Sequence, residues 1–252
     1  TIDEREYVRS QPTSESTIES LKQTFHNGEF RKFVCSDVIY WVAITTFQTG
    51  LPFFVTSLLK LPETTTTIYF VLMTGVSVLF YLPVNVLANR VGKKRLLLVA
   101  FAIFTCSFAF AGLLGPSGVL GVIPPMIQGV VLAVAAAVPM AAFGILPQAI
   151  VANIADASSA TTGQDRQGMF YAARTFAMKM GQSVAMLLFT GVSTIGLGDG
   201  SGVGYRIAAF SAAALCGVGG LIFALYNERK VMGMLPARDD SRHVSRNEPS
   251  RD

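Results

Sequence analysis

Six long apolar blocks, separated by short polar stretches, set the pattern of this chain. They run from about Phe33 to Leu59, Thr65 to Ala88, Leu96 to Leu114, Val119 to Ala152, Met169 to Ile195 and Val203 to Tyr226. A helix needs about 20 mostly apolar residues to cross the hydrocarbon layer, and each block meets that length or comes within a residue of it. The separators LPETT, NRVGKKR, GPSG and GLGDGSG carry turn chemistry. One such run fits a buried helix of a soluble protein; six in succession, with few internal charges, predict an all-α membrane protein of six transmembrane helices. Residues 1–31 are charged and hydroxyl-rich, with SQPTSES at their centre, and read as a linker. Within it, Thr17 to Phe25 is either plain linker or a short amphipathic helix at the membrane surface. The expected organisation is a cytoplasmic linker at 1–31, a transmembrane bundle at 32–228 and a cytoplasmic polar tail at 229–252.

Composition agrees with the pattern. Hydrophobic residues make up 51% of the chain, charged residues 14%, and the mean hydropathy is +0.49; a soluble domain carries about 25% charged residues. The net charge of +4 does not imply nucleic acid, because the basic residues lie between the apolar blocks. Sixteen of the 20 fall in the N-terminal segment, the Arg90/Lys93/Lys94/Arg95 loop, the loop with Arg166 and the tail. The positive-inside rule then puts both termini in the cytoplasm and the chain in the cell (plasma or inner) membrane as a multi-pass protein. Cys35, Cys106 and Cys216 are scattered in apolar text and read as small core residues, with neither metal-ligand spacing nor a disulfide framework. No signal peptide opens the sequence, and a start at Thr1 in linker-like text is what a fragment lacking its upstream half would show.

The candidate chemistry centres on Lys179. It lies about ten residues into the fifth block, ~15 Å deep at ~1.5 Å per residue, near the middle of a ~30 Å layer. An ammonium there costs about 2.5–3.5 kcal/mol even on a mild insertion scale, so its retention points to function. Thr175, Lys179, Gln182 and Ser183 are spaced i, i+4, i+7 and i+8 and share one helical face, a plausible pocket wall. Arg174 points elsewhere and, ~8 Å deep, either snorkels to the surface or turns into a cavity. In the first block Asp37, Tyr40, Trp41, Thr45 and Gln48 form a second polar stripe. Asp37 is expected to pair with a basic loop residue, Gln48 to hydrogen-bond a substrate, and Trp41 to offer an apolar face for a sugar. Pro124, Pro125, Pro139 and Pro147 in the fourth block mark either an interrupted helix, the usual pointer to a transporter site, or ordinary kinks. Phosphate-binding loops, HExxH, GxSxG and paired-carboxylate sites are missing from the text. Neither an enzyme, a metal site nor a resident cofactor is expected.

Two stretches carry a resemblance. Asn89-Arg90-Val91-Gly92-Lys93-Lys94-Arg95 is similar in part to the loop signature of the major facilitator superfamily, with Asn89 where the signature has an acid; Gly92 and Lys93 are read there as a structural hinge. ILPQAIVANIADASSATTGQDRQGMFYAARTFAMKMGQS, from Ile145 to Ser183, resembles the glycoside–pentoside–hexuronide:cation symporter family, the melibiose-permease-like branch. The elements that match are Ala152 to Asp156, Gly163-Gln164-Asp165-Arg166-Gln167-Gly168 and Lys179; Asn153 replaces a family acid. The resemblance implies that these six helices form the C-terminal bundle of a twelve-helix transporter, whose partner is the missing N-terminal six-helix half. It implies symport of sugars or glycosides with Na⁺ or H⁺, the ion being bound mainly by that missing half. It implies Lys179 in the network linking ion and substrate, Thr175 in the sugar cavity, and Asp156, Asp165 and Arg166 in cytoplasmic gating. The alternatives are an amphiphile or lysolipid carrier of the same architecture, a membrane-embedded enzyme, and a six-helix unit that dimerises.

Overall fold

Within a bilayer every backbone N–H and C=O must be bonded inside the protein, so apolar blocks of this length become helices. The computed structural model describes residues 11–12, 17–116, 120–196 and 202–235. The elements in order are β1 (Gln11–Pro12), α1 (Thr17–His26), α2 (Gly28–Phe53) with a π-helical end at Phe54–Leu58, α3 (Thr64–Val91), α4 (Lys93–Gly112), α5 (Pro125–Thr162), β2 (Gln164–Asp165), α6 (Gln167–Ser193), α7 (Val203–Ala224) and α8 (Glu228–Met234). Among the described residues five helices are long and apolar enough to cross a membrane: α2 with its π extension, α3, α4, α5 and α7. α6, with 27 residues, falls within the length range of the others, but Arg174, Thr175, Lys179, Gln182 and Ser183 dilute its apolar character. The expectation of six spans is therefore met by five on apolarity and length together.

Apart from α4 and α5, the main neighbours are not consecutive in the chain. α2 packs on α7 and α6, α4 on α7 and α5, and α3 on α5, which gives an arc in the order α6, α2, α7, α4, α5, α3. α7 is central because one side is built of small residues. Ala208, Ala209, Ala212, Ala213, Cys216, Gly219 and Gly220 are all buried, which lets backbones approach closely, as membrane helix interfaces require. The Ser36 hydroxyl of α2 donates to the Gly219 carbonyl at 2.7 Å. At the centre of the arc Tyr40 stacks on Phe143 with ring centroids 3.7 Å apart, and Phe101 meets Phe143 edge-on at 4.8 Å. So Tyr40 belongs to the packed core and not to a polar stripe.

The structure decides between the two readings of the prolines and corrects the bounds of the fourth block and the placing of two cysteines. α5 is continuous from Pro125 to Thr162 although Pro139 and Pro147 lie inside it: each proline removes one amide donor, and buried surroundings hold the helix together. It starts later than the apolar block, with Pro125 in the first turn, and runs past Asp156 to Gly163, whose φ of 70° makes the left-handed stop. The departure from regular helix is instead at the end of α2, where the Leu59 N–H reaches back to the Phe54 carbonyl at 2.9 Å. Finally, Cys216 is buried but Cys35 and Cys106 are exposed, and all three are free thiols. The stretch at Thr17–Phe25 is helical, as α1, and the parallel pairing of Gln11 with Gln164 and Pro12 with Asp165 ties the N-terminal segment to the α5–α6 loop.

α3 and α5 meet at a close approach that sequence patterning did not reveal. A Cβ at Gly129 would stand 2.3 Å from Tyr69 Cζ, while Tyr69 Oη donates to the Met126 carbonyl at 3.1 Å. Gly129→Ala is expected to push the ring away, break that bond and destabilise the fold by about 1–3 kcal/mol. Tyr69→Phe, which keeps the ring, should cost only about 1 kcal/mol. Thermal melting of the purified protein checks both, and equal melting points for parent and Gly129→Ala would refute the contact.

Candidate functional site

α6 has three sides. Its packed side, with Arg174, Gly181, Ala185 and Phe189, is buried against α2. A second side carries Thr175, Lys179, Ser183 and Thr190, all exposed, with Gln182 half-buried at its edge. The third is apolar and exposed, with Phe176 at 67% and Leu187 at 75%. Such partition is what a helix shows when it faces protein, a polar space and lipid at once. The sequence-predicted grouping of Thr175, Lys179, Gln182 and Ser183 is thus on one side. Among the described residues the Lys179 ammonium has no hydrogen bond or ion-pair partner; the Ser183 hydroxyl bonds back to the Lys179 carbonyl at 3.1 Å.

Arg174 takes neither of the two courses open to it in the sequence. Its Nε donates to Asp37 Oδ2 at 2.9 Å and its Nη2 to Asp37 Oδ1 at 3.1 Å. Both side chains are nearly sealed, at 7% and 3% exposure, and the guanidinium carbon lies 5.9 Å from the Phe33 ring centroid. Asp37 therefore pairs with a helix residue of α6 and not with a basic loop residue. The reason is register: α2 and α6 run side by side in the same direction, with Val38 and Val42 against Gly181, Thr49 against Met186 and Phe53 against Phe189. That register brings Asp37 opposite Arg174 and sets Trp41, Thr45 and Gln48, all half-buried, at the heights of Lys179 to Met186. Trp41 has its indole nitrogen buried near the Asp37 carboxylate yet outside hydrogen-bond geometry.

The residues expected at the gate lie apart from this stripe. The Gln167 side chain donates to Asp156 Oδ1 at 2.5 Å, and Arg166 donates to Gln164. The Asp165 side chain lies outside the described residues. Gly92 turns the chain between α3 and α4 at φ 96°, a conformation that favours glycine. Its neighbours Lys93 and Lys94 give their N–H groups to the two oxygens of Glu228, at 3.0 and 3.1 Å. Glu228 thus caps α4 from a distant helix, and sequence reasoning missed it because nothing local links the two. The same end is fastened by Glu29, which accepts from the Asn227 N–H at 2.9 Å and pairs with Lys32 at 3.0 Å. Tyr226, buried and stacked on Phe223, is held neutral: burial, with Glu228 and Glu29 close by, pushes its phenol well above the usual range. At the opposite end Gln128 receives the Gly115 N–H and donates to the Leu120 and Ile123 carbonyls, and Arg206 caps α4 through the Gly112 carbonyl.

A third polar row, on α3, was not singled out from the sequence. Thr67, Thr74, Tyr81 and Asn85 are exposed at spacings of seven, seven and four residues, which places them along one face. Only 17% of the most apolar stretch of α3 is buried, against 56% in α5. The two helices at the ends of the arc, α3 and α6, thus both present mixed polar and apolar faces that no described residue covers. Among the described residues no group of three or more His, Cys, Asp or Glu could hold a metal ion.

The comparisons fit this geometry. The family described as MFS/sugar transport protein matches residues 1–225. No curated protein and no solved structure matches the chain significantly. Several apolar membrane-length helices together with a match across most of the chain lead to one conclusion: it is a multi-pass membrane protein and belongs to the MFS/sugar transport protein family of the major facilitator superfamily.

Proposed function

We propose that this chain is the C-terminal six-helix half of a secondary active symporter that moves sugars or glycosides with Na⁺ or H⁺. In this reading α6 is the sixth span, both termini are cytoplasmic in the plasma or inner membrane, and a second six-helix bundle covers α3 and α6. The observation that carries it is Lys179, twelve residues after the start of a helix of membrane length, whose ammonium has no partner among the described residues, flanked by Thr175, Gln182 and Ser183 on a side that no described residue covers. Gln48 and Trp41 on the adjoining helix extend the wall. An ammonium, hydroxyls, amides and an indole face are the groups that bind a polyhydroxylated ring, and rocking of one bundle against the other around that wall would give alternating access. The glycoside branch is supported by the resemblance of the Ile145–Ser183 stretch. An amphiphile carrier is the second reading, favoured by Phe176, Met180 and Met186, which expose apolar surface on or beside the polar side of α6.

Uptake of a radiolabelled glycoside into vesicles holding the complete transporter tests the proposal. Uptake is expected to rise when a Na⁺ or H⁺ gradient is imposed and to collapse with the matching ionophore. Indifference to both gradients would remove the symport assignment, and competition by lysolipid but not by glycosides would favour the amphiphile carrier.

A further inference from the structure

We propose that the cavity between α4 and α8, at the basic end of the bundle, binds the phosphate headgroup of an anionic membrane phospholipid. The cavity has a volume of about 450 Å³, and its walls include Val91, Lys94, Arg95, Leu98, Glu228 and Arg229. Its single carboxylate is already engaged, because both Glu228 oxygens accept N–H groups from the first turn of α4. That leaves three cations facing one space. Lys94 uses one of its donors on the Ala224 carbonyl, at 2.7 Å, which anchors the side chain and leaves two donors free. Arg95 and Arg229 are exposed, and each guanidinium fork suits a phosphate.

The surroundings select a lipid over a soluble anion. Val91 and Leu98 give the cavity an apolar side. At the same end Val99 of α4, Leu221 of α7 and Leu225 just after α7 expose 54%, 73% and 67% of their surface. A headgroup seated among the cations would therefore have its acyl chains running along α4 and α7 in the hydrocarbon layer. Anionic lipids are concentrated in the cytoplasmic leaflet, where each nearby Lys or Arg adds to the attraction. The basic loops and α8 gather at this end, so headgroup and cavity meet at the same depth.

The test uses the complete transporter in nanodiscs of phosphatidylcholine with or without phosphatidylglycerol, followed by native mass spectrometry of the lipid retained on release. Phosphatidylglycerol should be retained in preference to phosphatidylcholine. Arg95→Gln combined with Arg229→Gln should reduce that preference roughly thirtyfold, and either alone about fivefold. Lys60→Gln, an exposed residue beyond the π-helical end of α2, should leave it unchanged. Equal retention by parent and double variant overturns the site. Displacement of the lipid by soluble glycerol phosphate at similar concentration also overturns it, since the ligand would then be a free phosphate ester. Should the double variant fail to fold, Arg229→Gln alone decides, because that side chain is exposed.

Discussion

Arg174→Ala should unfold or misassemble the bundle at temperatures where the parent is stable, with a loss of about 3–5 kcal/mol. The variant leaves Asp37 almost fully buried without its bidentate partner, and an uncompensated carboxylate inside a helix bundle is costlier than a missing contact. Asp37→Ala strands the guanidinium in the same way and should cost a similar amount. The informative experiment is the double variant Asp37→Leu/Arg174→Met, which replaces both charges by apolar volume. Its melting temperature should recover most of the loss, since buried ion pairs are often matched by packed hydrophobic residues of similar size. If the double variant is as unstable as the sum of the singles, the pair is not coupled as its geometry implies.

Lys179→Ala gives the opposite pattern. Stability should change by no more than about 0.5 kcal/mol, because the ammonium has no partner among the described residues and its side chain is exposed. Coupled glycoside uptake by the complete transporter should fall to the level of empty vesicles, with membrane abundance unchanged. Lys179→Arg keeps the charge on a different donor geometry and should retain partial uptake. Normal uptake by Lys179→Ala would sink the role assigned to this residue. The two basic residues of α6, five positions apart, thus separate cleanly: one is measured in a melting curve, the other in a flux.

The helices were legible because membrane crossing demands long apolar runs, and the polar side of α6 was legible because Thr175, Lys179, Gln182 and Ser183 follow the helical period. What stayed hidden depends on partners distant in sequence. Asp37 and Arg174 each looked like candidates for something else, and only the parallel register of α2 and α6 joins them. Glu228 stands in a polar tail with no local sign that it caps α4, which begins 135 residues earlier in the chain. Tyr69 and Gly129 are unremarkable as text, and their contact follows from the packing of α3 on α5. Prolines left two readings open for a related reason: at Pro139 and Pro147 the surrounding helices preserve the helix that local chemistry disfavours, whereas Phe54–Leu58 leaves the regular path just after Pro52. The α3 row of Thr67, Thr74, Tyr81 and Asn85 follows the helical period, but its members are uncharged and carry no signal that separates them from ordinary polar residues of a membrane helix.

The Asp37–Arg174 pair also has a consequence for biosynthesis. The two residues are separated by 137 positions, and at about 5–20 residues per second the ribosome needs on the order of ten seconds to make the second after the first. Through that interval α2 is a nascent segment with an acid and no guanidinium to meet it. Its main neighbour, α7, emerges later still. The first helix of the bundle then carries its acid unpaired while four more are made, at an insertion cost of at most a few kcal/mol, which the arrival of Arg174 on α6 removes.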